Sequence, residues 1–314
     1  MPRGFFTQSA TVLFTRAPSI DAIEAALSSL GCSVDRRETN AGWLSGGTEL
    51  LVPFGEAPEG HVHVDVLDVP WPDSMGDPKE DADLFGAWSM GAFGPLAFPG
   101  NLKRAAEQAV AFEGARAAVS AHRAFVRLRT SYLVGRGTDA PMLPEGWSGL
   151  AELDALLQLA APLLELPGAL AYFDPNAEVI ASPERARTLL AEGEGEGQDE
   201  GEGGPPLELF SHVRLFVIDE EWTLMDTVGL DRLFLPDLEA VFTKATDPNV
   251  VADMLRSASA YLIANGAVIE DGHTLDGPEG TLRVHASESS LGQPPRAVLR
   301  LVPEGVALPA GVLE

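Results

Sequence analysis

The chain has 314 residues, of which 45% are hydrophobic and 22% charged, and its formal charge is −26. That apolar content supports a buried core in one large domain or two smaller ones, while charge of that size disfavours nucleic acid and anionic membranes as partners. A single cysteine, Cys32, excludes an internal disulfide and a cysteine-built zinc site.

The N-terminal stretch MPRGFFTQSATVLFTRAPS lacks the apolar core of a signal peptide. No apolar run approaches the roughly 20 residues of a membrane-spanning helix. The expected location is the cytoplasm. ATVLF (10–14) predicts an opening strand. SIDAIEAALSSLG then predicts a helix capped by Ser19, with Ile20, Ile23, Leu27 and Leu30 as its stripe and Gly31 as its stop. SVDRRET, ELLVPF (49–54) and HVHVDVLDV (61–69) predict three strands. Residues 70 to 100, rich in Pro, Gly, Trp and Phe, predict an irregular connection, and an Ala-rich helix is expected over 101–121. HRAFVRLRTSYLV (122–134) predicts a strand, LAELDALLQLAAPLLEL (150–166) an amphipathic helix, and PGALAYFDPNAEVIAS a strand and turn. Ser182 and Pro183 then open a short helix.

The run EGEGEGQDEGEGGPP (192–206) carries six carboxylates and no basic residue. It has nothing to bury and predicts a flexible acidic linker. Beyond it, SHVRLFVIDE and WTLMDTVGL predict paired strands and LPDLEAVF another. Asp247 or Thr246 caps the clearest helix of the chain, with Pro248 at its start and Gly266 at its end. Val250, Val251, Met254, Leu255, Ala258, Tyr261 and Leu262 fall at helical spacing. The turn cluster DGHTLDGPEG is flanked by AVIE and TLRVHA, and AVLRLV (297–302) predicts the last strand. The expected class is α+β, with antiparallel or mixed sheets and helices packed on one face, in two layers or domains of similar size. The expected division is an N-terminal α+β domain over 1–190, the acidic linker over 191–206 and a C-terminal α+β domain over 207–314.

The segments WTLMDTVGLDRLFLPDLE (222–239), DPNVVADMLRSASAYLIANG (247–266) and DGHTLDGPEG, taken in order, resemble an uncharacterised bacterial family, domain of unknown function 4261. The resemblance lies mainly in residues 207–290 and extends more loosely to PGALAYFD and SPE (182–184). It implies a bacterial α+β protein and brings no established activity, so it assigns no catalytic residue.

Two strands carry the charged side chains most suggestive of a site. In HVHVDVLDV, His61, His63 and Asp65 share one face and Val62, Val64 and Val66 the other. A His–His–carboxylate set suits zinc or iron. Same-face side chains on a regular strand stand about 6.5 to 7 Å apart, however, so three in line converge poorly on one ion. Asp65 is followed by Val66 rather than by the further histidine that metallo-β-lactamase-type hydrolases carry. The expected reading is a solvated polar strand face. In HRAFVRLRT, Arg123, Phe125, Arg127 and Arg129 alternate with apolar residues, and seven of the 21 basic residues lie between Lys103 and Arg136. A shared sheet would display His61, His63, Asp65, Arg123, Arg127 and Arg129 on one outer face as a binding surface.

No phosphate loop, dinucleotide fingerprint or G-x-S-x-G elbow occurs. Cys32 follows a helix C-terminus, the wrong dipole end to activate a thiolate, and is expected as a buried apolar filler. His122, His212, His273 and His285 are scattered singly. Glu220, Glu221 and Asp226 lie near a hairpin, where adjacent acids are usually solvated. No cofactor is expected. The leading expectation is a non-catalytic binding protein with a basic protein partner, in one version an immunity-type protein that neutralises a basic toxin domain. The alternative is a metal-dependent hydrolase at His61, His63 and Asp65, completed by His122 or His285.

Overall fold

The structure, a computed structural model, describes residues 5–55, 59–134, 141–195, 204–290 and 292–305, without the side chains of 193–195. It divides into two compact units, Met1–Phe210 and Ser211–Glu314. Among the described residues no helix is long and apolar enough to cross a membrane.

The first unit opens with β1 (Ser9–Phe14) and α1 (Ile20–Ser28), capped by Ser19, whose hydroxyl accepts the Ala22 N–H. There follow β2 (Asp35–Glu38), β3 (Thr48–Phe54), β4 (Gly60–Leu67), α2 (Ala82–Ser89), α3 (Asn101–Gln108), α4 (Ala115–Ala121), β5 (Ala124–Ser131), α5 (Gly149–Leu163), β6 (Ala169–Asp174), β7 (Val179–Ala181) and α6 (Pro183–Gly195). The strands form one antiparallel sheet in the order β2-β3-β4-β5-β1-β6-β7.

Alternation along the strands builds two cores. Val12, Phe14, Val62, Val64, Val126 and Leu128 face α1, α5 and α6. Leu13, Leu67, Phe125 and Phe173 face the layer formed by residues 71–119. That second layer is packed around Trp71, whose ring meets Trp88, Phe93, Phe125 and Phe173 edge-on at 5.1 to 6.3 Å. Edge-to-face rings of this kind contribute beyond their buried area, and the Trp71 indole N–H finds Asn101 Oδ1 at 3.1 Å.

Three expectations therefore change. Helices cover both faces of the first sheet rather than one. The segment 70 to 100 is not merely a connection: it contains α2 and supplies the aromatic centre of the second layer. The Ala-rich stretch is two helices, α3 and α4, broken between Gln108 and Gly114 where Phe112 folds back under Gly114.

Helix α6 continues to Gly195, into the range expected of the acidic linker, and residues 196–203 of that run lie outside the described residues. The 3-10 turn Leu207–Leu209 belongs to the first unit. Leu209 is fully buried there, and Tyr172 Oη donates to its carbonyl at 3.2 Å.

The second unit contains β8 (His212–Val217), β9 (Trp222–Val228), β10 (Asp237–Thr243), α7 (Pro248–Asn265), β11 (Thr274–Gly277), β12 (Gly280–Glu288) and β13 (Ala297–Pro303). Its sheet runs β11-β12-β13-β10-β9-β8, antiparallel except for the β10–β13 pair. Asp247 caps α7 by accepting the Asn249 N–H, with Pro248 in the first turn. Val251, Leu255 and Leu262 of α7 pack on Leu238, Ala240, Leu299 and Leu301 of one sheet face. The α+β class is as expected, with mostly antiparallel sheets.

Candidate functional site

In the first sheet β4 lies between β3 and β5, so Asp65 stands opposite Glu49 on one side and Arg127 on the other. His63 stands opposite Arg129. The alternation expected for His61, His63 and Asp65, and for Arg127 and Arg129, thus brings these groups onto one face. That face is not solvated. Asp65 is 0% exposed, and Arg127 and Arg129 are 1% exposed. The residues that cover it are the loop 41–46, which has no periodic signature in the sequence, and the second helical layer, whose helical signal does not say which sheet face it covers. The expected outer binding surface is corrected accordingly: Asp65, Arg127 and Arg129 are interior groups. Arg123 is set apart before β5, its guanidinium on the carbonyls of Ser120 and His122. Arg136 lies outside the described residues.

Charges buried this deeply persist only when paired and hydrogen-bonded. Arg127 grips Asp65 with two parallel bonds, Nε to Oδ1 at 3.1 Å and Nη2 to Oδ2 at 2.6 Å. Arg129 Nη2 adds a contact to Asp65 Oδ1 at 3.3 Å and lies 3.5 Å from Glu49 Oε1. His63 Nδ1 meets the same Glu49 oxygen at 3.0 Å. The Arg129 guanidinium also stacks over Phe6, 4.1 Å from the ring centre. Burial would raise the Asp65 carboxyl, but the Arg127 and Arg129 charges outweigh it and hold Asp65 below the usual carboxylate range. Burial, then the neighbouring Arg127, pulls Arg129 down to about 10, so it remains charged at neutral pH.

The network is tied to one loop. Arg127 Nη1 donates to the Trp43 carbonyl at 2.8 Å, Arg129 Nη1 to the Leu44 carbonyl at 3.1 Å, and the Gly46 N–H donates to Asp65 Oδ2 at 2.8 Å. The loop so fixed walls a pocket of about 490 Å³ with Trp43, Val66, Leu67, Asp68, Val69 and Asp83. The Trp43 indole packs against Phe93, ring centres 5.9 Å apart. Charge buried in the sheet therefore fixes the shape of a pocket at its surface.

A metal centre does not fit this arrangement. Both Asp65 oxygens are taken by guanidinium and amide donors. His61 stands at the end of β4 opposite Pro53 and Ser131. His122 is committed elsewhere: Nε2 accepts the Trp71 N–H at 2.9 Å while Nδ1 faces the Val119 carbonyl. Burial lowers the His122 pKa, which keeps the imidazole neutral as this acceptor role requires. His285 lies on β12 of the second unit. Among the described residues no three His, Cys, Asp or Glu side chains are grouped to hold a metal ion. Cys32 packs half-buried against the first core rather than fully inside it, and lines a separate apolar cavity of about 430 Å³.

The second unit repeats the device with residues that strand patterning left unassigned. Arg214 of β8 opposes Asp226 of β9, Asp226 opposes Glu239 of β10, and Glu239 opposes Arg300 of β13, so one charged row crosses four strands. Asp226 receives Arg214 Nη2 and Arg296 Nη2, each at 2.6 Å, and Arg300 Nε reaches Glu239 at 3.0 Å. All five side chains are buried. Asp226, read as part of a solvated acidic hairpin, is in fact the centre of this row. A signal was available: carboxylates inside apolar strands, as in WTLMDTV and DLEAVFT, need buried cations. A smaller cavity of about 280 Å³ lies near the ends of β10 and β13, with Glu279 and Glu304 at its edge. Thr246 donates to Glu279 there, and Arg283 pairs with Glu304.

Residues 226–302 match the family model described as Domain of unknown function (DUF4261). The matched segment runs from the central carboxylate of the buried row, through α7, to the last strand, and so covers most of the second unit. The upstream segments PGALAYFD and SPE fall outside it. Neither the curated proteins nor the solved structures give a match.

Proposed function

We propose that the chain is a non-catalytic cytoplasmic binding protein of bacterial type whose partner is a basic protein, in the manner of an immunity protein that neutralises a toxin acting on nucleic acid. The observation that carries this reading is the mutual pairing of the buried charges in the two networks. Arginines and carboxylates of a kind that polarise or protonate substrates, Arg127, Arg129 and Asp65 in one unit and Arg214, Arg296 and Asp226 in the other, are paired with each other in the interior. The charge of −26 is thereby left to act through the surface. Complementary charge accelerates encounter with a basic partner and disfavours acidic competitors.

The test is recovery of the tagged full chain from its native cells, followed by size exclusion at rising salt. One protein of basic isoelectric point, co-eluting at fixed stoichiometry and dissociating more readily as salt rises, is the expected result. The absence of a stoichiometric protein, or the presence of an acidic one, overturns the proposal.

A further inference from the structure

We propose that the pocket between the loop 41–46 and the end of β4 receives an arginine or lysine side chain of the protein partner; this rests on the partner reading above and gives it an anchor point. Three features of the pocket fit that ligand. Its walls combine the aromatic Trp43 with Val66, Leu67 and Val69, surfaces that suit the aliphatic stem and the cationic head of a long basic side chain. Its charged groups are Asp68 and Asp83, both exposed, and neither is engaged by a cation among the described residues. Its volume of about 490 Å³ is ample for one such side chain.

The pocket is also built rather than incidental. Its loop is clamped at Trp43, Leu44 and Gly46 by the buried Asp65, Arg127 and Arg129. Preorganisation of this kind lowers the ordering cost of binding. By contrast, the cavity near the ends of β10 and β13 has one of its two carboxylates already paired with Arg283.

A side chain presented on a protein suits the pocket better than a free amine. Leu44 on the same loop is 47% exposed and Val69 at the rim is 37% exposed, which gives the residues flanking an inserted side chain apolar surface to cover. A small free polyamine makes no use of that rim.

The experiment uses the full chain with its tryptophan indoles labelled for NMR, the Trp43 signal being assigned with Trp43→Phe. The probes are N-acetyl-arginine N-methylamide, the corresponding lysine derivative, the uncharged citrulline derivative and agmatine. The expected result is a saturable shift of the Trp43 indole with the arginine or lysine derivative, weakened by salt. Affinity falls about tenfold in Asp68→Asn/Asp83→Asn and about tenfold for citrulline. A silent Trp43 signal, or a citrulline response equal to that of arginine, overturns the proposal. Agmatine binding more than tenfold tighter than the arginine derivative reassigns the pocket to free amines and overturns it too. The titration needs no partner, so a captured basic protein beside a silent Trp43 overturns the pocket while leaving the partner reading intact.

Discussion

Gly46 touches Asp65 and Val66 at once: its N–H donates to Asp65 Oδ2 at 2.8 Å, and a Cβ placed on it would lie 2.0 Å from the Val66 carbonyl oxygen. The contact is with backbone, which cannot swing aside. Gly46→Ala must therefore lift the loop and break its bond to the buried carboxylate. The expected loss is about 2–4 kcal/mol, from a charge-assisted hydrogen bond and an overpacked contact. Denaturant unfolding followed by tryptophan fluorescence measures it. Of the tryptophans, Trp43, Trp71, Trp88 and Trp147 lie in the first unit and only Trp222 in the second, so the signal reports chiefly on the first. A variant as stable as the parent sinks the close-approach reading.

Asp65→Asn tests the network itself. The substitution leaves Arg127 and Arg129 buried with their principal counter-charge gone, and removal of one partner of a buried pair costs about 3–5 kcal/mol. Arg127→Met alone is also destabilising, because the Trp43 and Ala92 carbonyls lose their donor. The double variant should be less destabilised than the sum of the two, with a coupling of about 1–3 kcal/mol. Strict additivity in the double-mutant cycle argues that the two side chains do not act as a pair.

These two sites mark the limit of what the sequence discloses. Period-2 alternation correctly puts His63, Asp65, Arg127 and Arg129 on shared strand faces, because side-chain direction along a strand is local geometry. Whether a face is wet depends on what covers it: the loop 41–46 has no period, and the helical pattern within 71–119 does not state which sheet face its aromatic packing will cover. The capped helices α1 and α7 are legible for the opposite reason: Ser19 and Asp247 satisfy backbone donors within their own turn. The pocket beside Trp43 is assembled from three separate segments, and no single stretch announces it.

Glu152 supplies a pH signature. It is fully buried in the first turn of α5, where Thr7 Oγ1 donates to Oε1 at 2.5 Å. Burial pushes its carboxyl up to about 7 from 4.5. The folded state thus holds a proton that the unfolded chain releases, and this contribution is fully present below pH 4.5 and lost as pH rises through 7. A shift of that size corresponds to about 3 kcal/mol. Glu152→Gln, which cannot ionise, should flatten the decline between those limits. An unchanged pH–stability profile in the variant removes Glu152 as its source.

His122 acts with the opposite sign. Its pKa is lowered in the folded state by burial, and Nε2 serves as an acceptor for the Trp71 N–H. The unfolded chain takes up the proton first, so stability is present above the ordinary value of 6.5 and declines as pH falls below it. The His122 and Glu152 effects therefore oppose one another just below pH 6.5. His122→Gln should expose the Glu152 slope in that window, measured as melting temperature across buffers. Identical slopes in parent and variant contradict a neutral, hydrogen-bonded His122.

In the second unit, Arg296 and Arg283 make a matched contrast. Arg296 is buried, joins Asp226 at 2.6 Å and Asp237 at 3.2 Å, and donates to the Thr227 carbonyl at 2.8 Å. Arg283 is exposed, with its ion-pair partner Glu304 at the surface. Arg296→Ala leaves Asp237 without its guanidinium and the Thr227 carbonyl without that donor, at an expected cost of about 3–5 kcal/mol. Arg283→Ala removes a solvent-screened pair worth at most about 1 kcal/mol. High salt should weaken the Arg283 contribution and leave that of Arg296 nearly intact, since screening acts on exposed charge. Equilibrium unfolding at low and high salt, followed by the resolved indole N–H resonance of Trp222, separates the two. Equal costs for both substitutions contradict the assignment of the charged row across β8, β9, β10 and β13 as the interior support of this unit.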